Sequence, residues 1–78
     1  MPSVLDQKFR HRLTLDCRHR EVIEKYCEKE IGYRSYYLRQ YRGGKHWRIQ
    51  NQPLIDAKML VELDDDGHAT ILALKYAT

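Results

Sequence analysis

The chain has 78 residues, enough for one small α+β-sized domain that buries roughly 60–65% of its unfolded surface. That excludes a second domain, a large enclosed catalytic cavity and a dinucleotide fold. Hydrophobic residues are 42% and charged residues 32%, and fourteen Lys and Arg against eleven Asp and Glu leave a formal +3, the balance of a folded soluble domain rather than a disordered or strongly cationic tail.

No run approaches the ~18–20 consecutive apolar residues of a membrane span. The first residues lack a basic stretch followed by an apolar one, so no secretory signal is expected. Cys17 and Cys27, ten positions apart on one helix, would lie about 15 Å apart, beyond disulfide reach. Reduced thiols and a cytoplasmic location follow as expectations.

In chain order, residues 8–15 alternate. Phe9, His11, Leu13 and Leu15 share one face and Lys8, Arg10, Arg12 and Thr14 the other, which predicts a half-buried strand. Residues 17–31 change period: Val22, Ile23, Tyr26, Cys27 and Ile31 recur at helical spacing. Glu21, Glu24, Lys25, Glu28 and Lys29 cover the polar side, with Asp16 as N-cap and Gly32 just past the end.

Residues 34–50 read as a β-hairpin turning at Gly43-Gly44, two positions suited to positive φ. That register sets Tyr41 opposite His46 and Arg39 opposite Arg48. Tyr36, Leu38, Trp47 and Ile49 form an apolar face; Tyr37, Arg39, Tyr41, His46, Arg48 and Gln50 form a solvent face. Asn51-Gln52-Pro53 marks a loop. A second hairpin is expected around Asp66-Gly67, with Met59, Val61 and Leu63 pairing with Leu74, Leu72 and Thr70. Its other face would carry Leu60, Ile71 and Ala73, apolar residues facing solvent. A homodimer would cover them, as would a one-residue shift in register; an edge strand could also pair between subunits.

The predicted fold is a single α+β domain over 1–78, a two-layer sandwich in the order β-α-β-β-β-β. One amphipathic helix packs on a mostly antiparallel sheet of about five strands and leaves the other sheet face open.

The charge is polarised. Residues 8–48 hold twelve basic against five acidic residues, net +7, and residues 49–78 hold two against five, net −3. On the open face, Lys8, Arg10, Arg12, Tyr37, Arg39, Tyr41, His46 and Arg48 would combine cations for phosphates with rings for bases, the mixture that RNA or DNA binding needs. The same residue types suit an acidic protein or nucleoprotein partner, as in the small inhibitors and adaptors that phages and mobile elements encode. An ordinary solvated sheet face is the structural alternative. Arg18, His19 and Arg20 in the first helical turn form a possible anion site beside free N–H groups, or else pair with Asp16, Glu21 and Glu24.

Cys17 at the helix start has surroundings that favour thiolate, yet no Cys–Arg phosphatase spacing and no paired CxxC accompany it. His11, Cys17, His19 and Cys27 match no common zinc spacing. Asp64-Asp65-Asp66-Gly67 lacks the ligand spacing of a calcium loop and reads as a turn. No cofactor, metal or catalytic residue is expected.

His46-Trp47-Arg48-Ile49-Gln50 and the stretch from Val61 to Leu74, within a span of about 30 residues, resemble the basic strand pair, acidic turn and final apolar strand of RelE/ParE-type toxins. This chain has room for one helix where those toxins carry a longer helical hairpin. The resemblance implies RNA cleavage, with His46 or Tyr41 moving protons and Arg39 and Arg48 stabilising the phosphorane-like state.

Overall fold

The structure, a computed structural model, describes residues 8–38, 41–52 and 57–76. It has the expected α+β class: a five-stranded, wholly antiparallel sheet with helices on one face. Strand β1 (His11–Asp16) is followed by a 3₁₀ turn (Cys17–His19), helix α1 (Arg20–Tyr26) and a π turn (Cys27–Ile31). Then come β2 (Tyr36–Leu38), β3 (Tyr41–Gly43), β4 (Trp47–Gln52), β5 (Lys58–Leu63) and helix α2 (Asp66–Tyr76). The strand order is β1-β5-β4-β3-β2, so the first helical segment carries the chain from one sheet edge to the other.

The alternation in residues 11–16 produces β1 as expected, but the chain bends at Arg10 before the strand begins. The bend moves Phe9 away from the face of His11, and its ring lies 5.1 Å from the Arg48 guanidinium carbon. Residues 17–31 are helical throughout. The Asp16 carboxylate accepts the Arg18 backbone N–H at 2.9 Å, a hydrogen bond that lowers the Asp16 pKa. At the far end the Gly32 N–H donates to the Cys27 carbonyl (3.0 Å), and the Gly32 carbonyl accepts the indole N–H of Trp47 (2.8 Å).

The first hairpin differs from expectation in two ways. The segment predicted as one strand from residue 34 onward is two strands that pair with each other, Leu38 opposite Tyr41. The reversal swaps the tyrosines: Tyr36 joins the face of Gly43 and Arg48, and Tyr37 joins Arg42 and Ile49 on the helix side. The turn also moves by two residues. Tyr41 lies opposite Gln50 rather than His46, and the Gly44 N–H donates to the Trp47 carbonyl (2.9 Å), which leaves Lys45-His46 as the two-residue loop. Neither glycine has positive φ. They serve close approach instead: a Cβ at Gly43 would come within 2.5 Å of the Trp47 carbonyl oxygen, and one at Gly44 within 2.2 Å of the Tyr33 carbonyl oxygen.

The second hairpin is a strand followed by a helix. β5 forms as predicted, but Asp65 caps α2 by accepting the His68 N–H (2.8 Å) and, through its carbonyl, the Ala69 N–H (3.0 Å). A type I′ turn needs positive φ at Gly67, which it lacks. Ala69 and Leu72, three apart, are buried with Tyr76 against the core, whereas Ile71 and Leu74 are exposed. The short apolar run fits either period, and the acidic cap with Asp66 at the start and Lys75 at the end favours the helix. Ile71 and Ala73 therefore leave the sheet, and the solvent-facing apolar patch that suggested a dimer does not form. Leu60 remains on the sheet face, 7% exposed.

α1 and α2 run antiparallel across one sheet face. His19 packs on Tyr76 (5.0 Å between ring centroids) and Tyr26 on His68 (5.6 Å), with the Tyr26 hydroxyl 2.7 Å from His68 Nδ1. Beneath them Ile23, Cys27 and Leu72 close over Leu15, Trp47, Ile49, Met59, Val61 and Leu63. Among the described residues no helix is long and apolar enough to cross a membrane.

Candidate interaction face and two clefts

The helix-free sheet face carries two register rows. One runs Arg12, Glu62, Arg48, Gly43, Tyr36; the other runs Thr14, Leu60, Gln50, Tyr41, Leu38. Arg48 and Glu62 are 7% and 5% exposed, and the Arg48 Nε donates to a Glu62 oxygen at 3.0 Å. The Phe9 ring at 5.1 Å and the Tyr41 ring at 5.2 Å flank the guanidinium. Arg12, on the far side of Glu62 at 3.7 Å, keeps its side chain 68% exposed. One carboxylate thus stands between two arginines, and the row keeps one net positive charge. Burial raises the Tyr36 hydroxyl pKa, and the nearby Arg48 acts in the opposite direction.

Of the predicted binding residues, the structure brings Arg12, Tyr41 and Arg48 together on this face, with Lys8 and Arg10 exposed where the chain enters β1. Arg39 lies outside the described residues. Three positions need correction. Tyr37 is on the helix side, its hydroxyl accepting from Arg42 (2.8 Å) and its ring 4.7 Å from that guanidinium carbon. His46 sits in the β3–β4 loop with Nδ1 3.4 Å from an Asp64 oxygen, not in a row with Arg48. Arg48 itself is a neutralised, buried cation rather than an exposed one.

At the possible anion site read at Arg18, His19 and Arg20, several backbone donors have partners within the chain. The Arg18 N–H is capped by Asp16, the Cys17 N–H donates to the Ala57 carbonyl (2.7 Å), and the Arg20 N–H donates to Cys17. The His19 ring is occupied by Tyr76 and by the Arg18 Nε donor at 3.3 Å. The backbone N–H groups of Cys17, Arg18 and Arg20 are thus already engaged within the chain.

The two thiols differ in environment. Cys27 is buried in the core and desolvation pushes its pKa up to about 12, with Glu24 and Glu28 adding to the effect. Cys17 is half-buried. Iodoacetamide on the native protein at mildly alkaline pH is expected to modify Cys17 alone, with Cys27 reacting only after denaturant is added. Mass spectrometry of tryptic peptides reads this directly, and native labelling of Cys27 would contradict its placement.

Two clefts lie away from the open face. The first, about 290 Å³, is lined by Glu30, Ile31, His46, Asp64, Asp65 and His68. It is the acidic pole of the molecule, and beside it His11 contacts Asp66, whose pKa is lowered by that hydrogen bond and by Arg10. Among the described residues no three ligating side chains are arranged to hold a metal ion.

The second cleft, about 510 Å³, is lined by Lys25, Glu28, Lys29, Tyr33 and Arg34. Tyr33 is 91% exposed. Arg34 is held by Glu24 at 2.9 Å and Glu28 at 3.6 Å, and Glu24 also accepts from Arg42 at 2.9 Å. Sequence reasoning passed over this group because Lys25 and Lys29 looked like an ordinary polar helix face. The available signal was a tyrosine outside any periodic element, directly after the helix-ending Gly32 and next to an arginine.

Comparison with protein-family models, with curated proteins and with solved structures finds no match to this chain.

Proposed function

We propose that the chain is a small non-enzymatic binding protein whose helix-free sheet face holds a nucleic acid or a nucleoprotein. The observation that carries this reading is the row Arg12–Glu62–Arg48 with its flanking rings. The buried Arg48–Glu62 pair, flanked by Phe9 and Tyr41, holds this face in shape, and a surface ordered in advance loses less entropy on binding. Arg12, Lys8 and Arg10 are exposed beside it, and the only carboxylate in the row is buried between two arginines. Cations of this kind neutralise phosphates, and the half-exposed Tyr41 ring offers a base a stacking surface.

Cleavage is the weaker reading. Arg48, the cation a phosphorane-like state would need, is already paired with Glu62, and His46 lies by Asp64 on the acidic side.

Fluorescence anisotropy with labelled single-stranded RNA and DNA oligonucleotides tests the proposal. Affinity is expected to fall steeply between about 50 and 200 mM salt. Arg12→Ala should weaken binding to all sequences and reduce the salt slope by about 1, leaving the Arg48–Glu62 pair in place. Absent or salt-independent binding overturns the nucleic-acid reading. Capture of an acidic protein instead would assign the same face to the inhibitor or adaptor class.

A further inference from the structure

We propose that the second cleft is a nucleotide site, in which the Tyr33 ring stacks on a planar base while Lys29 and Lys25 take its phosphate. The cleft lies on the helix side of the sheet, across from Arg12 and Arg48, so the inference stands apart from the sheet-face reading.

Tyr33 is the first observation. At 91% exposure it is far more open than Tyr26, Tyr36, Tyr41 or Tyr76, all at least partly buried, and more than Tyr37, which is 61% exposed and pressed against Arg42. Its side chain makes no hydrogen bond or ring contact among the described residues. Its backbone is nonetheless fixed, since its carbonyl oxygen is packed tightly against Gly44. A ring held by its backbone and left bare on both faces is a stacking platform.

The charge around the ring is the second observation. Lys29 makes no ion pair among the described residues. Lys25 reaches only Glu21, at 3.7 Å, with both side chains strongly exposed, a pair of little worth in water. Lys25 and Lys29 are four residues apart and line the same cleft, so their ammonium groups can approach one anion. Arg34 is committed to Glu24 and Glu28 and acts as a rigid wall, not as the phosphate ligand.

The third observation separates a nucleotide from an acidic peptide. Among the described residues the cleft is lined by charged side chains and one tyrosine, with no Leu, Ile, Val, Met or Ala. That lining favours ring stacking and charge, which a nucleotide supplies together. A volume of about 510 Å³ accommodates a base, a sugar and one phosphate.

The test is a chemical-shift titration of the labelled full chain with adenosine monophosphate. Inorganic phosphate and a hexaglutamate peptide serve as charge-only probes, and a short single-stranded oligoadenylate distinguishes a free nucleotide from one within a strand. The proposal expects shifts at Lys25, Lys29, Tyr33 and Arg34 with adenosine monophosphate, the oligonucleotide or both. Tyr33→Ala should weaken this binding about tenfold or more, Tyr33→Phe should preserve it, and Lys29→Glu should weaken it. Arg12→Ala should leave the adenosine monophosphate shifts at these four residues unchanged while it weakens oligonucleotide binding at the sheet face, so the two sites fail separately. All four positions are at the surface, and an unchanged spectrum elsewhere verifies that each variant is folded. Equal shifts with phosphate or hexaglutamate would show that the ring plays no part and would overturn the proposal, as would no shift with either nucleotide probe.

Discussion

Replacing Glu62 by Ala will destabilise the protein by about 3–5 kcal/mol. The carboxylate is 5% exposed and holds Arg48, itself 7% exposed, by a 3.0 Å hydrogen bond. Removing it takes away the buried carboxylate to which the Arg48 guanidinium donates, and the flanking rings of Phe9 and Tyr41 offset only part of the lost charge pairing. Glu62→Gln keeps the shape and loses the charge, so it should fall between. The double replacement Arg48→Met with Glu62→Leu should recover most of the loss, because it removes both desolvated charges and fills the space with apolar atoms. Urea denaturation of the four proteins measures this. A cost for Glu62→Ala below about 1 kcal/mol is the size seen for solvated pairs and would mean that water reaches the row. The Arg12 contact at 3.7 Å, with Arg12 68% exposed, should contribute little by comparison, which is why Arg12 can serve binding while Arg48 serves the fold.

Leu72→Ala will cost about 2–5 kcal/mol, while Leu74→Ala, two residues on, will stay within about 0.5 kcal/mol of the parent. Leu72 is 0% exposed and Leu74 is 78% exposed. On a strand the two side chains would point the same way and would cost alike; on α2 they are separated by two residues of a 3.6-residue turn and point to different sides. Chemical denaturation therefore distinguishes a hairpin from a helix over residues 66–76, with far-UV circular dichroism following the helix content. Similar costs at the two positions would rule out α2. Val22 on α1, Ile71 and Leu74 are apolar and exposed, so substitutions there should leave stability nearly unchanged.

Much of the fold was legible locally. The switch from alternation in Phe9–Leu15 to helical spacing in Val22–Ile31 located β1 and the first helical segment, and Asp16 and Gly32 marked its ends because capping is a matter of a few neighbouring residues. The class followed; the count of five strands agreed because the division of residues 36–43 into β2 and β3 offset the loss of the strand expected within residues 66–76. The errors came where a local pattern fits two structures. Val61–Leu74 contains apolar residues at both period 2 and period 3.6, and Gly43-Gly44 suits a turn as well as a tight packing site. In the first case the core that Ala69 and Leu72 reach decides, and it is built from residues distant in sequence; in the second the close approach of the Trp47 and Tyr33 carbonyls decides, and it exists only once the chain has folded back on itself.

The candidate sites divide in the same way. That the chain is polarised, basic over residues 8–48 and acidic beyond, follows from counting charges. Which cations remain available depends on what lies across from them. Arg48 and Arg12 looked equivalent as alternating strand residues, yet Glu62 sits between them, and Phe9 and Tyr41 shield only one of them. Tyr36 and Tyr37 changed places because the chain reverses between Leu38 and Tyr41: cross-strand partners share a face, so Leu38 and Tyr36 join Tyr41 and Gly43, where unbroken alternation along one strand would have set them on opposite faces.

By itself, the sequence determined the class, strands β1, β4 and β5, the helix over residues 17–31 and the charge asymmetry, all of which depend on periodicity, capping and composition within short stretches. Only the tertiary structure decided the register, the helical state of residues 66–76 and the difference between a cation neutralised in a buried pair and one left exposed. Those depend on which residues meet across the sheet, and no property of a short stretch specifies its partner.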